Sequence, residues 1–406
     1  MATMGVIADD FTGATDIATA YAARGYRTEV LTGRGAPADP TMDVAVVALK
    51  SRTAPVEAAV SQALAAHDRL AAAGHTRFFV KYCSTFDSTD DGNIGPVLDA
   101  LTDSTGAAHC VVVPAFPATG RTTYQGHLFV WSDLLEHSPM RHHPLTPMTK
   151  SRIADLLRPQ TTHSVGELPL GVVRGGADAL RARIDTAPDR YLVVDAIEDR
   201  DLDTIAEATA GAVLRSGGSG LALGTRAGTA DPASAFVAPT GRRLVVCGSA
   251  SARTREQIAS ASAAGAPTRR LDVARLTTER AAVIDEALGW LRTRPADSAP
   301  VLYSVGALSD VSADSSSSAL VEDALSEIVD GAVRDGFTQC IVAGGETSGA
   351  VVSRLGVERL TIGAGIAPGV CWAEGVTATG TRVALALKSG NFGEPDMFTT
   401  AWEALG

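Results

Sequence analysis

Short apolar runs that suit buried strands alternate with longer helical stretches from the start of the chain. The first unit of this pattern is a strand over Met4–Ala8, a turn over 9–15 and a helix over 16–24 that Gly25 ends. The remaining elements predicted in this part are strands over Thr28–Leu31, 44–49, 77–80 and Cys110–Val113, and helices over 56–73 and 94–101. Such alternation is typical of α/β folds, in which helices cover both faces of a parallel sheet.

The alternation resumes after a stretch without periodicity. At 406 residues, the chain is longer than one typical domain of about 100 to 200 residues. Residues 226–241 are rich in Ala, Gly, Pro and Thr, which is typical of a linker. We therefore predict two α/β domains, over 1–228 and 241–406, each a mostly parallel sheet flanked by helices, with the active site in the cleft between them.

Polar side chains follow several predicted strands of the first domain. The carboxyl ends of parallel strands meet at one edge of a sheet, where ligands bind. We therefore expect these side chains to converge on one substrate: Asp9, Arg52, Lys81, Ser84, Asp87, Ser88 and Arg121. Cations for a carboxylate, hydroxyls as hydrogen-bond partners and a free carboxylate as a base would suit a small, hydroxyl-rich, anionic substrate.

Two adjacent aspartates, Asp9 and Asp10, end the first predicted strand. One of them is expected to cap the helix that follows. The other is then the better candidate for a catalytic base.

Glycine-rich turns follow predicted strands of the second domain. Residues 339–352, QCIVAGGETSGAVV, have the order strand, glycine turn and helix start, with Thr347 or Ser348 expected as the helix cap. Backbone N–H groups and the helix dipole at such a turn favour a phosphate, although a tight turn without a ligand is the alternative. Turns at 248–251 and 389–393 could meet it at the same edge. A nucleotide on one domain and a small acid on the other is the layout of a two-domain kinase.

Charge and composition exclude several classes of protein. The net charge of −11 argues against nucleic acid or an anionic membrane as a partner. No apolar run reaches the length of about 20 residues that a membrane helix needs, and no signal peptide precedes Asp9. The five scattered cysteines favour reduced thiols in the cytoplasm. Only four of the 35 basic residues are lysines, and Lys81 and Lys388 follow predicted strands, where a compact ammonium would suit a ligand.

The chain resembles the four-carbon acid sugar kinase family almost from end to end. The closest resemblance is to the branch that phosphorylates 3-oxo-tetronates on the 4-hydroxyl. The motifs are IADDFTGATD (7–16), ALKSRT (48–53), KYCSTFDST (81–89), GNIGPV (92–97), PAFPATGRTTYQGHLFV (114–130), HPLTPM (143–148), GGSGLALG (217–224), GGETSGAVV (344–352) and ALKSGNFG (386–393).

The resemblance implies an ATP-dependent kinase that uses Mg²⁺. It implies that Asp10 accepts or orients the hydroxyl proton, and that Arg52 and the run from Lys81 to Thr89 contact the substrate. The nucleotide contacts expected from this reading are Ser249, Gly344, Gly345, Glu346, Thr347, Lys388 and Gly390.

Other readings remain open at this point. Within the family, a D-threonate or D-erythronate 4-kinase is the alternative. A sensor that binds a sugar acid and a nucleotide without turnover belongs to another class, and in it the two aspartates would be structural caps. A dehydrogenase is disfavoured because no GxGxxG follows an early strand. The metal ligands, the C4 configuration of the substrate and a homodimer are left open.

Overall fold

The computed structural model describes residues 3–33, 35–143, 145–230, 236–306 and 315–405, without the side chains of 315–317. The chain divides into two compact units. The first comprises Met1–Glu29 and Pro37–Ala230, and the second comprises Val30–Ala36 and Asp231–Gly406. Nothing in the sequence pattern predicts that Val30–Ala36 groups with the second unit. Part of the expected linker, 231–235, lies outside the described residues.

The first unit is an α/β fold, as predicted. Its strands are β1 (Met4–Ala8), β2 (Thr28–Leu31, whose last two residues are grouped with the second unit), β3 (Val44–Ala48), β4 (Arg77–Lys81), β5 (Cys110–Val113), β6 (Arg121–Tyr124), β7 (His127–Val130), β8 (Asp133–Leu134), β9 (Val165–Leu168), β10 (Tyr191–Val194) and β11 (Leu214–Gly217). Its helices are α1 (Phe11–Ala23), α2 (Val56–Ala72), α3 (Ile94–Thr105), α4 (Ile153–Leu157), α5 (Leu170–Val173), α6 (Ala177–Asp185), α7 (Asp199–Ala208) and α8 (Gly220–Leu223).

The main sheet of this unit has the strand order β2-β3-β1-β4-β11-β5-β10-β9. Strands from β3 to β9 in that order pair in parallel. In register, Ala8 lies opposite Ala48 and Lys81, and Lys81 lies opposite Gly217. The residues that follow these strands therefore lie at one edge, as the sequence predicts.

The second unit is also α/β. Its strands are β12 (Arg243–Cys247), β13 (Thr268–Arg270), β14 (Val301–Tyr303), β15 (Gln339–Ala343), β16 (Arg359–Ala367), β17 (Val370–Val376) and β18 (Arg382–Lys388). Its helices are α9 (Ala252–Ala263), α10 (Arg280–Arg292), α11 (Ser315–Arg334), α12 (Gly345–Leu355) and α13 (Met397–Thr400).

The strand order of this unit is β13-β14-β12-β15-β18-β17-β16. The strands from β13 to β18 in that order are parallel, whereas β17 and β16 add an antiparallel end. Cys247 lies opposite Ala343, and Ala343 lies opposite Lys388. The three glycine-rich turns thus follow adjacent strands at one edge. Among the described helices, none is both long and apolar enough to cross a membrane.

Three predicted elements differ from the structure. Helix α1 begins at Phe11 rather than Asp16, since the carboxylate of Asp10 accepts a hydrogen bond from the Gly13 N–H and caps it. The apolar run at 168–173 also predicts a strand, but it forms the end of β9 followed by α5, because Pro169 has no N–H to continue a ladder. The polar stretch after β5 forms the hairpin β6–β7, with positive φ at Gln125 and Gly126.

For two glycines within helices, replacement by alanine is expected to change the free energy of unfolding in opposite directions. A Cβ at Gly95 in α3 would lie 2.4 Å from the Gln160 carbonyl oxygen, whereas a Cβ at Gly289 in α10 would meet nothing within 4 Å. We expect Gly95→Ala to lower the free energy of unfolding by about 1 to 3 kcal/mol through overpacking. Gly289→Ala should raise it by about 0.5 to 1 kcal/mol through helix propensity. Thermal unfolding of both variants measures this, and a stabilising Gly95→Ala would contradict the packing described.

Candidate active site

The ionic cluster of the first unit is built around Arg52. Its Nε and Nη2 donate to the two carboxylate oxygens of Asp9, each at 2.8 Å. Nη2 also donates to Oδ1 of Asp10 at 2.8 Å. One planar guanidinium thus bridges two adjacent carboxylates that would otherwise repel each other.

Asp10 combines two roles that the sequence analysis assigns to separate residues. Its Oδ1 accepts from the Gly13 N–H at 3.0 Å, so it is the helix cap, and its Oδ2 accepts from the Thr12 hydroxyl at 2.9 Å. Burial raises the pKa of a carboxyl, but at Asp10 the charges of Arg52 and Lys81 and these hydrogen bonds outweigh burial, and its pKa lies below the ordinary value. Asp10 is therefore an anion at neutral pH.

Asp9 lies in a different environment. Burial dominates there and raises the pKa of Asp9, against the charge of Arg52. Its side chain is 17% exposed, compared with 27% for Asp10, and both of its oxygens are taken by the Arg52 fork. Asp10 is thus the more exposed of the two carboxylates, while both of its oxygens also accept hydrogen bonds.

Asp87 lies on the far side of the guanidinium, in a strained loop. Its Oδ2 is 3.7 Å from Nη1 of Arg52, and its Oδ1 accepts from the Thr85 hydroxyl at 2.6 Å. Phe86 and Asp87 have φ of +66° and +45°, a conformation that costs about 1 to 3 kcal/mol at a residue other than glycine. Such strain is often found at ligand sites, where the surrounding structure holds it in place.

The sequence analysis missed Asn93, which fixes the Arg52 loop. Its Nδ2 donates to the carbonyls of Ser51, Arg52 and Ala54 at 2.8, 3.2 and 2.8 Å. An asparagine directly before a predicted helix was the only signal, and it suggested a cap rather than a loop anchor.

Lys81 ends β4 and is buried, with its Nζ donating to the Tyr82 carbonyl at 2.9 Å. A Cβ on Gly13 would lie 3.1 Å from this Nζ, so Gly13 leaves room for the ammonium beside α1.

Asp16, also missed from the sequence, accepts from the Ser219 hydroxyl at 2.5 Å. Burial raises the pKa of Asp16, against the charges of Lys81 and Arg121.

The structure brings most of the predicted substrate residues together. A cavity at this edge is lined by Asp9, Arg52, Lys81, Asp87 and Ser88. Ser88 donates to Oε1 of Gln160 at 3.2 Å.

The other two predicted substrate residues lie outside this cavity lining. Ser84 lies near Gly218, since a Cβ added at Gly218 would lie 3.4 Å from the Cβ of Ser84. Arg121 is carried by the β6–β7 hairpin and donates to the Thr119 carbonyl. Within the described residues, its side chain makes no hydrogen bond to the Arg52 cluster.

The glycine-rich turns of the second unit pack closely against one another. A Cβ on Gly390 would lie 2.3 Å from the hydroxyl of Ser249, and one on Gly344 would lie 3.2 Å from the N atom of Ser249. A Cβ on Gly248 would lie 2.1 Å from the Thr347 hydroxyl. Side chains at these three glycine positions would fill the region. With glycine there, the main chain forms an open cradle that suits phosphates.

Two helices begin beside these turns. Helix α12 starts at Gly345 with Gly344 as its N-cap, so the expectation that Thr347 or Ser348 caps it is wrong. Gly344 has φ of +131°, which a glycine can adopt to start the helix earlier. Glu346 lies in the first turn of α12, and Thr347 is buried. Helix α9 is capped by Ser251, whose hydroxyl accepts from the Thr254 N–H at 3.2 Å.

Lys388 lies beneath the turns rather than facing out of them. Its side chain is fully buried, and Nζ donates to the Thr254 hydroxyl and the Gly390 carbonyl at 3.1 and 3.0 Å. The sequence analysis missed Ser251 and Thr254, although a serine and a threonine three residues apart at a helix start are a typical cap pattern.

Comparisons with known proteins agree with a division into two kinds of site. A family model described as a sugar-binding N-terminal domain matches residues 4–225, and one described as a nucleotide-binding C-terminal domain matches 244–398. The chain is 44% identical to a curated 3-oxo-tetronate kinase of Cupriavidus necator, over 99% of this chain and 97% of that one. It is 40% identical to a 3-oxo-tetronate kinase of Salmonella typhimurium, over 99% of each chain.

Two solved structures are similar over the whole chain. One, from Salmonella typhimurium LT2, has a TM-score of 0.91 and 39% identity, covers 99% of both chains, and was provisionally described as a tRNA synthase. The other, from Haemophilus influenzae, has a TM-score of 0.81 and 37% identity over 99% of this chain and 100% of that one. With both domain models matched and curated kinases similar along its full length, this chain belongs to the four-carbon acid sugar kinase family.

Proposed function

We propose that this protein is a 3-oxo-tetronate kinase that transfers a phosphoryl group from ATP to the 4-hydroxyl of the acid. The observation that carries the proposal is the 44% identity to a curated 3-oxo-tetronate kinase over 99% of the chain. The two clusters of polar groups support it, because one offers charged side chains and the other a glycine cradle. The names of the relatives do not favour a D-threonate or D-erythronate kinase, or a sensor without turnover.

The acid substrate is proposed to bind at the Arg52 cluster. Nη1 of Arg52 makes no hydrogen bond within the described residues and lies 3.7 Å from Asp87, so it has hydrogens left for a substrate oxygen. Lys81 adds a second positive charge, and Ser88 adds a hydroxyl. We keep Ser84 and Arg121 as proposed contacts of a more distant part of the acid.

Asp10 is proposed to orient the 4-hydroxyl and take its proton. Phosphoryl transfer passes through a loose transition state, so the protein mainly positions the hydroxyl and balances charge. A carboxylate of low pKa stays ionised at neutral pH, so it can accept a hydrogen bond from the hydroxyl and orient it toward the phosphoryl group. Asp9 accepts hydrogen bonds from Nε and Nη2 of Arg52, and its proposed role is to hold Arg52 in place.

ATP is proposed to bind the cradle formed by Ser249, Gly344 and Gly390, with Gly345, Glu346 and Thr347 at the start of α12. The N-termini of α9 and α12 supply N–H groups and partial positive charge for the phosphates. When bound, Mg²⁺ would neutralise charge on the phosphates. Among the described residues, no three His, Cys, Asp or Glu side chains form a group that could hold a metal ion.

The domain assignment and the compartment also remain proposals. We assign acid binding to residues 1–228 and nucleotide binding to 241–406. Cys83, Cys110, Cys247 and Cys340 are free thiols, which supports a reducing compartment such as the cytoplasm.

The substrate proposal predicts selective turnover. ADP release, coupled to a reporter enzyme, would be measured with both C4 configurations of 3-oxo-tetronate and with D-threonate and D-erythronate. We expect kcat/KM to be highest for one 3-oxo-tetronate. A preference for a tetronate without the keto group would contradict the substrate assignment, and ATP binding without turnover of any acid would favour a sensor.

The role of Asp10 predicts the effect of Asp10→Asn. Asparagine caps a helix about as well as aspartate, so the fold should be retained. We expect kcat to fall by about 100-fold or more because the general base is lost. Steady-state kinetics of Asp10→Asn and Asp9→Asn measure this. Near-normal turnover in Asp10→Asn, with a large loss in Asp9→Asn, would move the base to Asp9.

A further inference from the structure

Lys388 is a buried cation at the nucleotide edge of the second unit. It ends β18, and its carbonyl accepts from the Gly344 N–H at 2.9 Å. Its Nζ donates to Gly390 and Thr254 and lies 5.9 Å from the centre of the Phe398 ring. Within the described residues, no carboxylate lies within ion-pair distance of this ammonium.

An ammonium in this position costs stability. Burial lowers the pKa of Lys388 to about 8. The ionisable groups that face it are Cys247 on β12 and Arg253 on α9. The pKa of the Cys247 thiol is raised to about 12 by burial, so Cys247 is neutral at pH 7, and Arg253 repels the ammonium. Because the folded pKa is below the ordinary lysine value, stability falls as pH falls from about 10.5 to about 8, and the full cost of the buried ammonium is present below about 8. A group that costs stability is often retained for function.

The carbonyl of Gly390 is held by three donors. The Ser251 hydroxyl lies 2.6 Å from this oxygen, the Thr254 hydroxyl 2.9 Å and Nζ of Lys388 3.0 Å. The side chains of Thr254 and Lys388 are buried and that of Ser251 is half-buried, so two of the three donors hold the carbonyl from the protein interior. In a trans peptide the N–H of the next residue points the opposite way, and Asn391 is exposed. Its N–H makes no hydrogen bond within the described residues, and the peptide geometry directs it away from the three donors to Gly390.

We propose that Lys388 is a positioning residue, which holds the Gly390 carbonyl inward and thereby presents the Asn391 N–H to the nucleotide phosphates. Lys388 itself does not touch the phosphates. Asn391 becomes a further binding residue through its main chain. This inference rests on the proposed nucleotide site, and it does not depend on which acid is phosphorylated.

The first test measures ATP binding by calorimetry without the acid, using the full chain. We expect Lys388→Met to weaken ATP binding by about tenfold, as loss of a charge-assisted hydrogen bond typically does. Its Tm at pH 7 should not fall, since methionine fills the site without a buried charge. KM for the acid should stay within about twofold. A variant that binds ATP as tightly as the parent would overturn the proposal.

A second variant keeps the test valid if Lys388→Met fails to fold. Thr254→Val removes the hydroxyl that joins Nζ to Gly390, and it should also weaken ATP binding. The matched control is Thr209→Val in the first unit, which loses a buried hydroxyl bonded to Ile205 at 2.7 Å and should leave ATP binding unchanged. Because both site variants act on one carbonyl, their effects on ATP binding should be less than additive in the double variant. Full additivity would contradict the shared role.

The pH profile separates positioning from simple packing. As pH rises through about 8, the ammonium loses its proton and its bond to Gly390 weakens. ATP binding of the parent protein should therefore weaken between about pH 7 and about pH 9.5, whereas Lys388→Met should be flat there. If ATP binding of the parent and of Lys388→Met changed with pH in the same way over this range, the proposal would be overturned.

Failure of this inference can be told apart from failure of the proposed function. If the parent binds ATP in a Lys388-dependent way but phosphorylates no 3-oxo-tetronate, the substrate assignment fails and the inference stands. If the parent binds no ATP, both fail.

Discussion

The contact between Arg52 and the two aspartates after β1 is the constraint on which the acid site depends. Asp9 and Asp10 are adjacent and largely buried, so two negative charges there would repel each other and favour protonation. Burial would lower the pKa of Arg52, but the two carboxylates outweigh burial and hold its pKa well above the ordinary value. Arg52 and Asp10 therefore keep each other charged, whereas burial raises the pKa of Asp9. Asp87 lies on the other side of the guanidinium, and Asn93 anchors the loop that carries Arg52.

The proposed nucleotide site of the second unit is built by different means. Its positive field comes from helix N-termini, main-chain N–H groups and one buried lysine, with glycines that allow close approach. The two proposed sites thus suit two kinds of ligand. A small acid with hydroxyls needs directional side chains, whereas a polyphosphate needs a main-chain cradle. The net charge of −11 makes such local positive regions necessary for any anionic ligand.

Much of this arrangement could be predicted from the sequence because strand ends and glycine turns have local signals. The alternation of strands and helices predicts which strand ends share an edge, and the register places Lys81 beside Ala8 and Lys388 beside Ala343. The resemblance to a kinase family supplied the chemistry, and the full-length relatives confirmed the family. Individual contacts of the acid and of ATP remain proposals.

What the sequence could not show depends on contacts between distant residues. Asn93 binds carbonyls about 40 positions earlier, and Thr254 binds a carbonyl 136 positions later. Such hydrogen bonds leave no periodic pattern. The double role of Asp10 was also hidden, since a capping residue and a charged ligand of Arg52 look the same in sequence.

The most direct test of the acid site is the steady-state kinetics of Arg52→Lys, with Arg27→Lys as the matched control. Arg27 forms a similar fork with Asp43, at 3.0 Å for both bonds, on the exposed surface of the same unit. Lysine keeps the charge of Arg52 but cannot hold two carboxylates in one plane. The account predicts that Arg52→Lys raises KM for the acid and lowers kcat while KM for ATP stays nearly constant, and that Arg27→Lys changes none of them. A rise in KM for ATP with an unchanged KM for the acid would contradict the assignment of the acid to this cluster.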